Sequence, residues 1–157
     1  MKFTLSWLRE HLDTNAEIKA IESTLTNIGL EVESVDDRTE ELKSFTVAKV
    51  INVSQHPNAD RLKVCDVKTK EGEFQVVCGA PNARTGMLGI FAPENSYIPG
   101  TKIKLKKTKI RGIESCGMLV SEKEMCLSDE HEGIIEIDQK YNIGDSFSAI
   151  YGLNDPL

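Results

Sequence analysis

Aromatic side chains are scarce, at 6 % of 157 residues with a single tryptophan, so few rings are on offer for stacking against a nucleobase. Long apolar runs are missing too. No stretch approaches the roughly 18 residues of a membrane-spanning helix. The first residues, MKFTLSWLREHLD, meet Arg9, Glu10 and Asp13 too early to hold the apolar core of a signal peptide. A cytoplasmic, non-membrane protein is expected. Cysteine is sparse and badly spaced for metal chemistry: Cys65, Cys78, Cys116 and Cys126 contain no Cys-x-x-Cys pair, and none of His11, His56 and His131 stands at zinc-finger spacing. No metal site is expected, and Cys65 and Cys78, inside strand-like runs, read as small buried hydrophobes. A Walker loop, a dinucleotide glycine fingerprint and Gly-x-Ser-x-Gly are all absent. The pattern therefore predicts no catalytic residue.

What is present is a soluble, globular composition, 39 % apolar and 28 % charged, at a length that suits one ordinary domain or a small domain with an attached fragment. The net charge of −6 conceals a partition. Residues 1–42 carry 4 basic and 10 acidic side chains, residues 43–113 carry 13 and 5, and residues 114–157 carry 2 and 10. A basic middle lies between acidic flanks, which bears on partners rather than on fold.

Apolar periodicity divides the chain in a similar way. Leu5, Leu8 and Leu12 share one face of a short helix that Thr4 or Ser6 would cap, and Ile18, Ile21, Leu25 and Ile28 mark a second helix. The second has a capping box in Thr14 to Glu17 and a left-handed stop at Gly29. LEVESV alternates like a strand with one wet face, and DDRTEEL, residues 36–42, reads as a linker. From Ser44 onward FTVAKVINV, RLKVCDV, FQVVCGA, MLGIFAP, TKIKLKK, GMLVS and GIIEI read as seven short strands, with one helical turn near Glu122 to Met125. Glu71-Gly72 and Pro99-Gly100 mark tight turns. That texture predicts a small barrel or sandwich.

Three stretches carry the candidate chemistry. In HPNADRL, residues 56–62, Pro57 biases His56 toward an extended backbone and Asn58 and Asp60 favour a turn, so a strand would begin at Arg61 with Leu62 and Val64 inward and Arg61 and Lys63 outward. His56 reads as part of that turn, as an RNA contact, or, with least support, as a catalytic group. TKIKLKKTKIRG, residues 101–112, would put Lys102, Lys104 and Lys106 on one face of a strand and Ile103 and Leu105 on the other, with Lys107, Lys109 and Arg111 following. Such a ridge fits a phosphate backbone; it also fits a solvated edge strand protected by lysines. In RGIESCGMLVSEKEM, Gly112 and Gly117 mark bends, and Ser115 and Ser121 offer hydroxyls without a triad partner.

Three signatures in order, QHPNADRLKVCDV, QVVCGAPNAR and KIRGIESCGMLVSEKEM, preceded by MKFTLSWLREHLDT and LTNIGLEVESV, resemble the N-terminal region of bacterial phenylalanyl-tRNA synthetase β subunits with its tRNA-binding module. Val120 departs from the cysteine often found there, a change of packing rather than recognition. The resemblance implies a mainly β chain with a helical N-terminal segment (α+β). Its centre would be a five-stranded OB-fold Greek-key barrel with extensions, inserted into an interrupted α/β-type domain. Residues 1–38 would be the first part of that domain, residues 39–147 the tRNA-binding OB fold, and residues 148–157 the start of the return. The implied partners are tRNA and the synthetase α subunit of an α₂β₂ enzyme. ATP and Mg²⁺ are expected for the whole synthetase and no cofactor for this piece, whose role would be non-catalytic. The candidate RNA-binding residues are Asn58, Arg61, Asn82, Arg84, Lys102, Lys104, Lys106, Lys109, Arg111 and Ser121. A second reading keeps the OB domain as a protein-interaction or assembly module whose basic ridge serves only solubility.

Overall fold

The computed structural model describes residues 1–153, 155 and 156. Three helical pieces come first. α1 (Leu5–His11) is capped by Thr4, whose side chain accepts the Trp7 N–H, as its sequence position indicates. α2 (Ile18–Asn27) stops before Gly29 at φ +95°, also as expected. Its start differs, because the Thr14 hydroxyl accepts from the Ala16 N–H and no side chain caps the helix at Glu17. No residue of α1 or α2 is buried. LEVESV forms no strand. Alternation alone cannot make one where no neighbouring strand offers hydrogen bonds. The expected linker ends instead in α3 (Thr39–Leu42), which drives Leu42 and the following Phe45 to complete burial.

β1 (Thr46–Gln55) organises the rest of the sheet. Its first half pairs antiparallel with β4 (Leu88–Pro93) and its second half with β2 (Lys63–Thr69), which in turn pairs with β3 (Gly72–Cys78). A register shift between Val50 and Asn52 adds one residue where the strand changes partners. A bulge at this point bends a strand and increases its twist. Two short hairpins come next, β5 (Tyr97–Ile98) with β6 (Ile103–Lys104) and β7 (Thr108–Ile110) with β8 (Ile113–Ser115). β9 (Gly117–Leu119) then pairs with the far edge of β4, giving the order β3-β2-β1-β4-β9.

The sheet curls until its edges meet. The Cys116 N–H donates to the Gln75 carbonyl at 2.9 Å, the Val77 N–H donates to Ser115 Oγ at 3.1 Å, and β3 lies against both β8 and β9. A side chain at Gly117 (φ +143°) would meet the Phe91 ring at 2.6 Å, so glycine is required where the chain turns into the closing strand. The result is a nearly closed five-stranded antiparallel barrel with the connectivity of an OB fold.

The barrel interior holds Ala48, Val50, Cys65, Val67, Val76, Cys78, Met87, Phe91 and Leu119. β4 is buried on both faces, which fits its unbroken apolar run. Its outer face carries Leu88 and Ile90 in a second core with Leu42, Phe45, Val120, Met125, Ile135, Ile137 and Phe147. Phe147 opens α4 (Phe147–Ile150). GIIEI is therefore a cover rather than a strand: the Ile137 N–H donates to Leu88 O and the Ile135 N–H to Val120 O, but only an isolated bridge forms. The phase of β2 is also opposite to the expected one. Lys63, Cys65, Val67 and Thr69 share the inward alternation, and Lys63 is tolerated there because its ammonium donates to Pro81 O and Ala83 O at 3.1 and 3.0 Å.

The C-terminal segment returns to α1. The Leu5 N–H donates to Pro156 O at 2.9 Å, and the Ser6 N–H and hydroxyl both reach the Asp155 carboxylate, which the hydroxyl holds below the usual carboxylate range. Of the expected return, residues 148–157, Asn154 and Leu157 lie outside the described residues.

This pattern of burial has two measurable consequences. Burial pushes the Cys65 thiol up to about 11 from an ordinary 9.0, with Cys78 as the next contributor, and raises Cys78 as well. Between those values the unfolded chain sheds protons that the folded chain keeps. Stability should hold up to pH 9 and decline from 9 to 11, less steeply in Cys65→Ala, as urea midpoints would read. Separately, amides of α2, which buries no side chain, should exchange with deuterium faster than those of β1, β2 and β4. Equal protection would count against an N-terminal unit that is only partly packed.

Candidate nucleic-acid interface

The loop between β1 and β2 is built around His56. This ring is 2 % exposed and makes two hydrogen bonds. Nδ1 accepts the Asn58 N–H at 3.0 Å, which leaves Nε2 to carry the proton and donate to Ile110 O at 2.9 Å. Asn58 adds a third strut, its Nδ2 donating to Arg111 O at 3.2 Å. His56 is thus a turn residue, as the first of its three readings had it. It fastens the β1–β2 loop to the tip of the β7–β8 hairpin, some fifty residues further along the chain.

That tip is a two-residue turn, Arg111-Gly112, with φ of +50° and +87°. Paired positive φ values are those of the hairpin turns that match strand twist, which glycine adopts freely and arginine adopts only under constraint. The Asn58 and His56 bonds to the carbonyls of Arg111 and Ile110 supply that constraint, so the guanidinium of Arg111 projects from a fixed backbone.

The basic ridge itself is not one strand. Lys102 has φ +57° and belongs to the β5–β6 turn, its N–H bonded to Ile98 O; β6 contains only Ile103 and Lys104; and Lys106 and Lys107 link the two hairpins. The alternation of lysine with Ile103 and Leu105 suggests a long strand, but β3 and β4 already have their partners, so residues 101–110 fold back in short ribbons. Ile103, which a strand would place on the face opposite the lysines, is 58 % exposed. Lys107 pairs with Glu114 at 3.0 Å, and that carboxylate holds its ammonium above the usual lysine value. Arg61, Lys102, Lys104, Lys106, Lys109 and Arg111 are exposed and form no salt bridge among the described residues.

The remaining candidates are engaged within the fold. Asn82 donates to Ile134 O at 2.9 Å and accepts the Ile134 N–H at 3.0 Å, fixing the outer cover to the barrel. Arg84 is paired with Glu136, which raises the guanidinium and lowers the carboxylate from their ordinary values. Ser121, 6 % exposed, binds the Glu124 carboxylate through both its N–H and its hydroxyl. Among the described residues no three His, Cys, Asp or Glu side chains converge as a metal set.

The surface therefore consists of the β1–β2 loop and the long insertion between β4 and β9, clasped to each other. In OB barrels such loops and the β2–β3 face are where oligonucleotides bind. A profile of the putative tRNA-binding domain matches residues 45–146. The chain belongs to that family. Over its whole length it is similar to proteins named phenylalanine–tRNA ligase beta subunit, 52 % identical over 158 residues in Brucella abortus and 51 % over 157 in Rickettsia conorii. It covers 20 % and 19 % of those two proteins, so the chain spans about one fifth of the length of the curated relatives it matches. Among solved structures, a MetRS-related protein from Pyrococcus horikoshii superposes with a TM-score of 0.50 at 22 % identity, over 71 % of this chain and 95 % of that one. At that identity the likeness is one of fold.

His56→Ala removes both ring bonds and leaves the Ile110 carbonyl and the Asn58 N–H without partners. The expected cost is about 2 kcal/mol in urea unfolding, with amide protection lost in β7 and β8 before the rest of the barrel. Unchanged stability together with unchanged hairpin protection would remove the clasp.

Proposed function

We propose that this chain is a non-catalytic tRNA-binding module that holds RNA by its phosphates, through Arg61 and Arg111 at the clasp and Lys102, Lys104, Lys106 and Lys109 along the two hairpins. One observation carries the reading: these six cations are exposed and without carboxylate partners among the described residues, in the loops that OB barrels use for nucleic acid. The similarity to ligase beta subunits supports a place in aminoacylation, within a cytoplasmic α₂β₂ enzyme whose α subunit is the partner. ATP and Mg²⁺ would then belong to the whole ligase.

The domain plan rests on the same reading. Residues 39–147 form the inserted OB unit, while residues 1–38 and 148–157 belong to an interrupted domain. The bonds from Leu5 and Ser6 to Pro156 and Asp155, together with the exposure of Trp7, Leu12, Ile28 and Leu30, support that assignment.

Contact with about four phosphates gives a slope of log affinity on log salt of roughly −3 to −4, and the acidic flanks keep the affinity of the chain no better than about micromolar. Lys104→Glu combined with Lys106→Glu should remove most tRNA binding and flatten the slope at unchanged melting temperature, since both side chains are exposed. Filter binding at several salt concentrations reads both quantities. Unaltered affinity and slope would favour the protein-interaction reading.

A further inference from the structure

The basic middle of the chain begins with four aromatic candidates for a base-stacking platform, Phe45, Phe74, Phe91 and Tyr97. Folding withdraws three of them. Phe45 is fully buried against Phe147, Phe91 is 2 % exposed, and half-buried Phe74 already spends a ring face on Phe91, with centroids 5.5 Å apart and planes 19° from parallel. Tyr97 is the opposite case. It sits on β5 of the lysine-bearing hairpin and is 44 % exposed.

Its setting is both basic and fixed. Tyr97 lies directly across the ribbon from Lys104, so the two side chains share one face, and exposed Ile103 is the next residue along β6. The backbone beneath is anchored on both sides: the Asn95 N–H donates to Leu105 O, the Leu105 N–H to Ser96 O, and the Lys102 N–H to Ile98 O, while the Ile98 side chain, 1 % exposed, plugs into the core. A tyrosine ring held this way loses little freedom on binding, and a ring beside an ammonium that lacks a carboxylate partner matches a nucleotide, whose base has a π face and whose phosphate is an anion.

We infer that Tyr97 is a stacking platform for one unpaired base of the bound RNA, with Lys104 taking the adjoining phosphate, so that the module prefers looped or single-stranded RNA over a continuous duplex. The inference rests on the RNA-binding reading above and adds a site to it. Bases in a helix are stacked on one another and closed to a protein ring, whereas loop bases can be splayed onto one.

The test compares two probes, an oligoadenylate of about 12 nucleotides and a blunt RNA duplex of about 12 base pairs, each titrated into the wild-type chain, Tyr97→Leu and Tyr97→Phe at one salt concentration. The expected result is a loss of about tenfold on the single strand for Tyr97→Leu, recovery in Tyr97→Phe, and no change on the duplex for either variant. The salt slope should stay that of the wild type, since no cation is removed. Single-strand affinity unaffected by Tyr97→Leu, or an equal loss on both probes, overturns the stacking site while leaving phosphate binding in place. Failure of the wild-type chain to bind either probe overturns the RNA-binding reading itself.

Discussion

Closure of the barrel between β3 and the chain entering β9 is the constraint on which the rest of the surface depends. β9 must run from the edge of β3 to the edge of β4, and Gly117 admits it only because no side chain stands between the strand and Phe91. Everything between β4 and that strand is then excluded from the sheet and has to fold on its own edges. Two hairpins result, and six basic residues fall on them or between them. An insertion of this kind would fray if it were tied only at its ends. The Ser115 hydroxyl and the Cys116 N–H fasten one hairpin to β3, and His56 and Asn58 fasten its tip to the β1–β2 loop. The lysines and arginines therefore project from a positioned backbone although few of them lie in regular structure.

Burial of β4 on both faces has a second consequence. A strand covered on its outer side needs a layer over it, and residues 120–138 provide one by sending Val120, Met125, Ile135 and Ile137 inward. Seven of the residues around these anchors are acidic, from Glu122 to Asp138. Arg84 and Asn82, which belong to the basic middle of the sequence, are drawn to this cover by Glu136 and Ile134. Hydrophobic anchoring thus holds the acidic cover on the barrel, where it abuts the lysine-bearing hairpin at Gly100, whose N–H donates to Glu124 O at 2.7 Å.

Much of this is legible in the sequence wherever a residue's role depends on its neighbours along the chain. The apolar run of MLGIFAP marks a strand, Gly29 a helix stop, and HPNADRL a loop entering a strand. The errors cluster where long-range contacts decide. TKIKLKK alternates as a strand should, yet the sheet has no free edge for it. RLKVCDV invites the opposite phase because a lysine on the inward alternation looks implausible until Pro81 and Ala83 present their carbonyls. Asn82, Arg84 and Ser121, candidates from their signature stretches, also bond within the fold to Ile134, Glu136 and Glu124, which only the tertiary structure reveals. Tyr97 cannot be singled out in the sequence for the reverse reason: nothing local says which of four rings the core will take.

The net charge of −6 is compatible with an RNA-binding surface because electrostatic attraction is local at physiological salt. The Debye length there is about 8 Å, so a phosphate resting on Lys104 or Arg111 responds chiefly to charges within one or two side-chain lengths. Lys107, neutralised by Glu114, adds little to that field, while the cations without carboxylate partners set its sign. Carboxylates on the outer cover act mainly at low salt, where their repulsion of a polyanion reaches furthest. On the phosphate-binding reading, acidic residues beside a basic insertion would restrict the orientations that RNA can take. For a surface that reads shape and phosphate with few base contacts, that restriction of geometry is the main source of selectivity available.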